Sequence, residues 1–275
     1  MRSTVVLLAC FCGLLSGCNR SAGPAGRAQL AQARQHFGDD QFVLAARLLS
    51  TFLRQHANTR QADQAYYLRG LCYRRSDPDK PDLAADDFER ALSATRQGSL
   101  RALINTALGH LYFETRPDEP AKAIEYYRAA LDDLDDAPPT DAVLYRLAVS
   151  SQKIGQWDQA DLYLSRCFND FADSSFAAYA RDRFGARTWR LQVGAFAELD
   201  RAVQMTDRLR RNGWSADWRS RRQNDRLLYA VRLGRYDTYA QARHDLHKLH
   251  GIEPESRIVP ARPVRPSYRQ EQQND

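Results

Sequence analysis

A short pattern near the end of this 275-residue chain occurs twice, 40 residues apart. Leu191-Gln192-Val193-Gly194-Ala195-Phe196 is answered by Val231-Arg232-Leu233-Gly234-Arg235-Tyr236. Ala202 and Leu209 follow the first copy, and Ala242 and Leu249 follow the second at the same offset. Each copy alternates apolar and polar residues up to a Gly and an aromatic, then changes to helical spacing. The unit is therefore strand, tight turn and helix, with a return strand after each helix. Two such units make a β-α-β-β-α-β layer, a ferredoxin-like arrangement with a four-stranded antiparallel sheet and both helices on one face.

Alternation assigns the two faces of that sheet. If Leu191, Val193, Val231 and Leu233 lie under the helices, then Gln192, Gly194, Ala230 and Arg232 face the other way. The first and third strands are central neighbours in this topology, so Gln192 and Arg232 share one open surface. Leu228 falls on the same side, one pleat before Ala230. Charge points the same way: from Arg187 to Pro260 the excess of Arg and Lys over Asp and Glu equals the net charge of the whole chain, +6. Such a concentration suits an anionic partner.

The block from about Thr188 to Pro260 resembles a SPOR domain, the small peptidoglycan-binding module of bacterial envelope proteins. Leu191 to Phe196 matches that family's Val-Gln-Val-Gly-x-Phe first strand. Ala230 to Tyr236 matches its Arg-Val-x-Val-Gly-x-Phe third strand, with Ala230 in place of the first Arg. Leu209, Gly213 and Trp214 match its exit from the first helix. The resemblance implies a ligand of glycan strands stripped of their stem peptides by amidases at a division septum. Stripping frees the lactyl carboxylate of each muramic acid, so the naked strand is anionic. Gln192, Gly194, Ala195, Leu228, Ala230 and Arg232 are the implied glycan-binding residues, and Trp218 and Arg219 are two further candidates. Trp218 could stack on sugar or pack inside, while Trp214 after the helix-ending Gly213 reads as core. A guanidinium such as that of Arg232 meets a carboxylate through two parallel hydrogen bonds.

Ahead of this module, from Ala28 to about Gly185, strand alternation is absent and small residues recur at a long period. Ala45, Ala84, Ala123 and Ala160 are spaced by 39, 39 and 37 residues. Four residues after each comes a larger apolar residue (Leu49, Phe88, Tyr127, Leu164), and three further on a packing position (Phe52, Ala91, Ala130, Cys167). On a helix these share one face. Ala33, Gly70, Gly109 and Ala148 mark a preceding helix where close approach leaves little room for a side chain. Leu108-Gly109…Tyr112…Ala123…Tyr127…Ala130 and Leu147-Ala148…Trp157…Ala160 resemble tetratricopeptide repeats. The period is longer than that family's, and Pro78–Pro81 and Pro117–Pro120 lie where added loop residues fit. Asp173-Ser174 reads as the start signal of a closing helix over Phe168–Ala180. Stacked repeats of this kind leave a concave face that serves protein partners, although no residue names one, and a spacer role is the alternative.

Arg2 and the apolar run Val5–Leu15 form an export signal too short to span a bilayer. The run ends in Leu15-Ser16-Gly17-Cys18, which resembles a bacterial lipobox in which Cys18 becomes the lipidated first residue. Each buried CH₂ of its acyl chains contributes about 0.8 kcal/mol. By the sorting rules of such lipoproteins, Asn19 implies the outer membrane. Residues 1–17 are then signal peptide, 18–26 the lipidated Cys and a flexible tether, 27–185 the helical repeats, 186–260 the SPOR domain and 261–275 a disordered, Pro/Arg/Gln-rich tail.

The remaining chemistry excludes more than it offers. His244, His247 and His250 drift by about 60° per step around a helix, so they converge poorly on a metal. Asp132-Asp133-Leu134-Asp135-Asp136 lacks the Gly and terminal Glu of a calcium loop. Cys72 and Cys167 stand at packing positions rather than in a disulfide framework. RNA-recognition modules share this layer but place stacking aromatics on the central strands, where this chain has Gln192, Ala230 and Arg232. The expected architecture is an α helical-repeat (tetratricopeptide-like) domain plus a small α+β ferredoxin-like βαββαβ domain. The expected role is a non-enzymatic envelope lipoprotein, without metal, cofactor or nucleic acid. It would bind peptidoglycan glycan strands and an unknown protein partner on the repeats. The alternative is an outer-membrane assembly scaffold whose SPOR-like domain does not bind glycan, a reading that the missing arginine at Ala230 sustains.

Overall fold

The structure is a computed structural model that describes residues 21–223 and 226–262; it divides into two compact units, Met1–Leu100 and Arg101–Asp275. The first holds α1 (Pro24–Gly38), α2 (Phe42–His56), α3 (Ala62–Ser76) and α4 (Pro81–Ala94), each packed on the next. After α5 (Gly98–Thr115) the second unit continues with α6 (Pro120–Leu131), α7 (Thr140–Lys153), α8 (Trp157–Asp170) and α9 (Ser175–Arg183). The sheet domain follows as β1 (Thr188–Phe196), α10 (Leu199–Arg211), β2 (Ala216–Gln223), β3 (Arg226–Tyr236), α11 (Tyr239–His250) and β4 (Arg257–Ala261). Two expected boundaries move. The helical body begins at Pro24, inside the stretch read as tether. Proline is well suited to the first helical turn, where its missing N–H has no helical acceptor to lose, and the Ala22 N–H just before it donates to Gln61 Oε1 at 3.0 Å. At the other end, β4 runs to Ala261, and Arg262 donates to the carbonyls of Phe184 and Arg181. The lipobox and residues 263–275 lie outside the described residues.

The long-period small residues form the helix–helix cores. Ala45, Ala84, Ala123 and Ala160 are fully buried, as are Leu49, Phe88, Tyr127 and Leu164 four residues on, and Phe52, Ala91, Ala130 and Cys167 beyond them. Gly109 shows why bulk is excluded at the preceding marker: a Cβ there would stand 2.6 Å from the ring of Tyr127. Ala123→Leu should accordingly overpack the second unit, at a cost of about 1–3 kcal/mol, and lower the melting temperature of the whole chain. Unchanged thermal unfolding would mean that this register is wrong. Ser174 caps α9, its hydroxyl accepting from the Phe176 N–H at 3.1 Å. Phe168 belongs to α8, so the closing helix starts later than expected. Burial pushes the Cys72 thiol up to about 12 and the Cys167 thiol up to about 11, which leaves both as inert packing groups.

The sheet has the order β2-β3-β1-β4, with every neighbouring pair antiparallel. Leu191, Val193, Val231 and Leu233 meet Ala202, Leu209, Ala242 and Leu249 of the two helices in one core. Trp214 packs against this core. A capping box starts α11: Thr238 Oγ1 accepts from the Gln241 N–H while the Gln241 side chain accepts from the Thr238 N–H. The sheet domain is also seated on the helices that precede it. Trp189 lies 5.2 Å from Trp157 of α8 and 5.0 Å from Tyr239, ring centre to ring centre. Arg187 bridges Asp158 and Asp161, Lys153 lies over the rings of Phe113 and Tyr239, and Arg243 pairs with Asp118.

Candidate functional site

The face of the sheet turned away from α10 and α11 is built by register. Gln192 of β1 stands opposite Arg232 of β3 and opposite Arg257 of β4. Across β2 and β3, Asp217 opposes Arg232, Arg219 opposes Ala230, and Arg221 opposes Leu228. The expected pairing of Gln192 with Arg232 is therefore present, and Leu228 lies on the same side. Ala230 is on this face but fully covered, so it forms floor rather than contact surface. Its small side chain leaves the space beside it to Arg219, which is exposed.

Two bulges change what alternation implies. Between Gln192 and Gly194 the register slips, so that Gly194 pairs with Val231, Ala195 with Ala230 and Phe196 with Tyr229. The extra residue reverses the pleat. Gly194 is thereby removed from the open face, and Ala195 takes its place. A Cβ on Gly194 would point at the Phe196 ring, 3.0 Å away, and Phe196 packs against the helix-side core. The second slip lies between Leu233 and Tyr236, where Gly234 adopts φ +58°, a conformation that glycine takes without steric cost. Trp218 is also corrected. It opposes Val231 on the helix side, edge-on to Tyr229 at 5.7 Å, and is not on the face of Gln192 and Arg232.

The electrostatics of the face are one-sided. Arg232 is partly buried, and its pKa is lowered, first by burial and then by Arg190 and Arg221 nearby. Its Nε and the Oε1 of Gln192 are enclosed without a hydrogen-bond partner. Buried polar atoms are seldom left so. Arg190, which alternation from Gln192 would also have assigned to this face, is 7 % exposed in its side chain and holds Asp217 through Nη1 at 2.7 and 2.9 Å. The surface thus offers guanidinium donors and little anionic counter-charge, while Gln192, 5 % exposed, lies beneath it with its acceptor enclosed. It can hold a ligand that carries both carboxylates and hydroxyls. The histidines of α11 do not gather: His250 meets the carbonyl of Ser256 at 2.9 Å.

A family model of the SPOR domain matches residues 185–257, and one of the tetratricopeptide repeat matches residues 142–174. No curated protein matches the chain. Among solved structures, the crystal structure of MamA is 19% identical and covers 54% of this chain and 79% of its own, with a TM-score of 0.45. That of PilW, a widely conserved type IV pilus biogenesis factor, is 24% identical over 56% of this chain and 65% of its own, with a TM-score of 0.43. That of YrrB, a TPR protein with an unusual peptide-binding site, is 20% identical over 55% and 72%, with a TM-score of 0.44. SPOR domains bind peptidoglycan and tetratricopeptide repeats mediate protein interactions; both are non-catalytic binding modules. Residues 185–257 are a SPOR domain, and the chain that carries it joins this domain to a tetratricopeptide-like helical array.

Proposed function

We propose that this protein is an outer-membrane lipoprotein, facing the periplasm, that holds the membrane to peptidoglycan glycan strands lacking stem peptides, at the division septum. The carrying observation is the open face, where strand register gathers Arg232, Arg219 and Arg257 with Asp217 already held by Arg190. Arg232 receives the freed lactyl carboxylate and Arg219 and Arg257 close over the strand from either side, while Gln192 lies buried beneath them as part of the floor. Gly194, Ala230 and Trp218 drop out as direct contacts in this reading, while Ala195 and Leu228 supply flat surface. The helical array provides a docking surface for a protein partner, and catalysis has no part in the role.

The test is co-sedimentation of the mature chain with sacculi, with and without amidase treatment. The whole chain is required because Trp189 and Arg187 tie the sheet domain to α8. Preference for treated sacculi supports the proposal. Equal or absent binding favours an assembly scaffold whose sheet domain does not take glycan, the reading that Ala230 in place of the family's arginine would explain.

The membrane anchor rests on Cys18. Among the described residues no helix is long and apolar enough to cross a membrane. Cys18→Ala should abolish incorporation of a labelled fatty acid in growing cells, and label retained on that variant would contradict the lipid anchor.

A further inference from the structure

Asp217 and Arg232 are direct cross-strand partners on β2 and β3. Opposite charges in such positions ordinarily pair. Here they do not. Both oxygens of Asp217 accept from Nη1 of Arg190, which reaches from β1 across β3. Nε of Arg190 donates to the Gly234 carbonyl at 2.8 Å, and Nη2 points to the carbonyl of Arg232 at 3.4 Å. The bulge at Gly234 adds the residue whose carbonyl takes that first bond. Arg190 is thus buried and fixed by three acceptor groups, whereas Arg232 forms no salt bridge among the described residues and leaves Nε without a partner.

We propose that Arg190 is a positioning residue for the anion site: by holding Asp217 it keeps that carboxylate off Arg232, whose guanidinium stays open to a carboxylate from outside. The inference rests on the glycan-binding reading for its ligand, but the internal competition can be measured without any ligand. Arg190 and Asp217 cancel in charge, so Arg232 and the exposed Arg219 dominate what an approaching anion meets. Without Arg190, Asp217 becomes a resident competitor at the register position facing Arg232. The buried arginine then acts on affinity without touching the ligand.

The test uses the mature chain and four variants: Arg190→Gln, Asp217→Asn, the double variant and Arg232→Ala. Arg190→Gln should reduce affinity for amidase-treated sacculi about tenfold, matching Arg232→Ala. Adding Asp217→Asn should restore it to within about twofold of the parent. Rescue by a second loss, with the melting temperature of Arg190→Gln and of the double variant both near the parent's, is the outcome that a merely structural role for Arg190 does not produce. Asp217→Asn alone, which leaves the buried arginine in place, should hold or raise affinity. A drop there would show Asp217 to be a ligand contact and overturn the proposal. The arginine Nε–H signals in nitrogen-15 spectra of the unliganded protein provide the second readout. Arg232 should shift on Arg190→Gln and return in the double variant. An unmoved Arg232 signal in folded Arg190→Gln overturns the proposal whether or not glycan binds. A moved signal in a protein that ignores treated sacculi upholds the positioning role and rejects the glycan reading instead.

Discussion

Arg232→Ala is expected to weaken binding of the mature chain to amidase-treated sacculi about tenfold while leaving its melting temperature unchanged. A hydrogen bond to a charged group contributes about 1.5–3 kcal/mol, and a tenfold change in affinity corresponds to about 1.4 kcal/mol. The low end applies because Arg232 is only partly buried and exposed arginines share its face. No internal ion pair is broken by the substitution, since Arg232 makes none among the described residues. The loss should narrow as salt rises, because a partly exposed ion pair is screened over about 10 Å at 0.1 M ionic strength. Binding curves for parent and variant at several salt concentrations measure this. Curves that coincide throughout would remove Arg232 from the site.

Leu233→Asp, one residue along the same strand, should do the reverse. Leu233 is fully buried opposite Leu191 beneath the two helices. A carboxylate there has no cation or donor to receive it, and an uncompensated buried charge costs about 3–5 kcal/mol. Much of the stability of a small domain, about 5–15 kcal/mol, is at stake. The sheet domain should unfold, with loss of near-ultraviolet dichroism from Trp189 and rapid proteolysis between residues 188 and 261. Intact dichroism and a melting temperature near the parent's would mean that β3 does not have its Leu233 face inside. Neighbouring residues therefore separate ligand contact from scaffold, as a strand that faces two environments requires.

Much of this architecture was already legible as periodicity. The 40-residue offset carries both strand–helix units, and Ala202, Leu209, Ala242 and Leu249 all enter the core that the pattern assigns them. The recurring alanines and their followers are buried throughout the helices. Local repetition suffices there, because whether a residue faces in or out of a regular element follows from its position within that element. The pairing of Gln192 with Arg232 was legible for the same reason. The composition of the face was not. A bulge between Gln192 and Gly194 exchanges Gly194 for Ala195, a second bulge supplies the Gly234 carbonyl to Arg190, and the register of β2 turns Trp218 to the helix side. Arg190 could have been assigned to the face by alternation, but its burial and its hold on Asp217 could not. Those depend on residues 27 and 44 positions away, and on strand registers that hydrogen bonds between distant segments select. Sequence alone determined the order of strands and helices and which charges are available. Only the tertiary structure decided which arginine is occupied by Asp217 and which is left open, because a carboxylate pairs with the guanidinium that the assembled sheet brings to it.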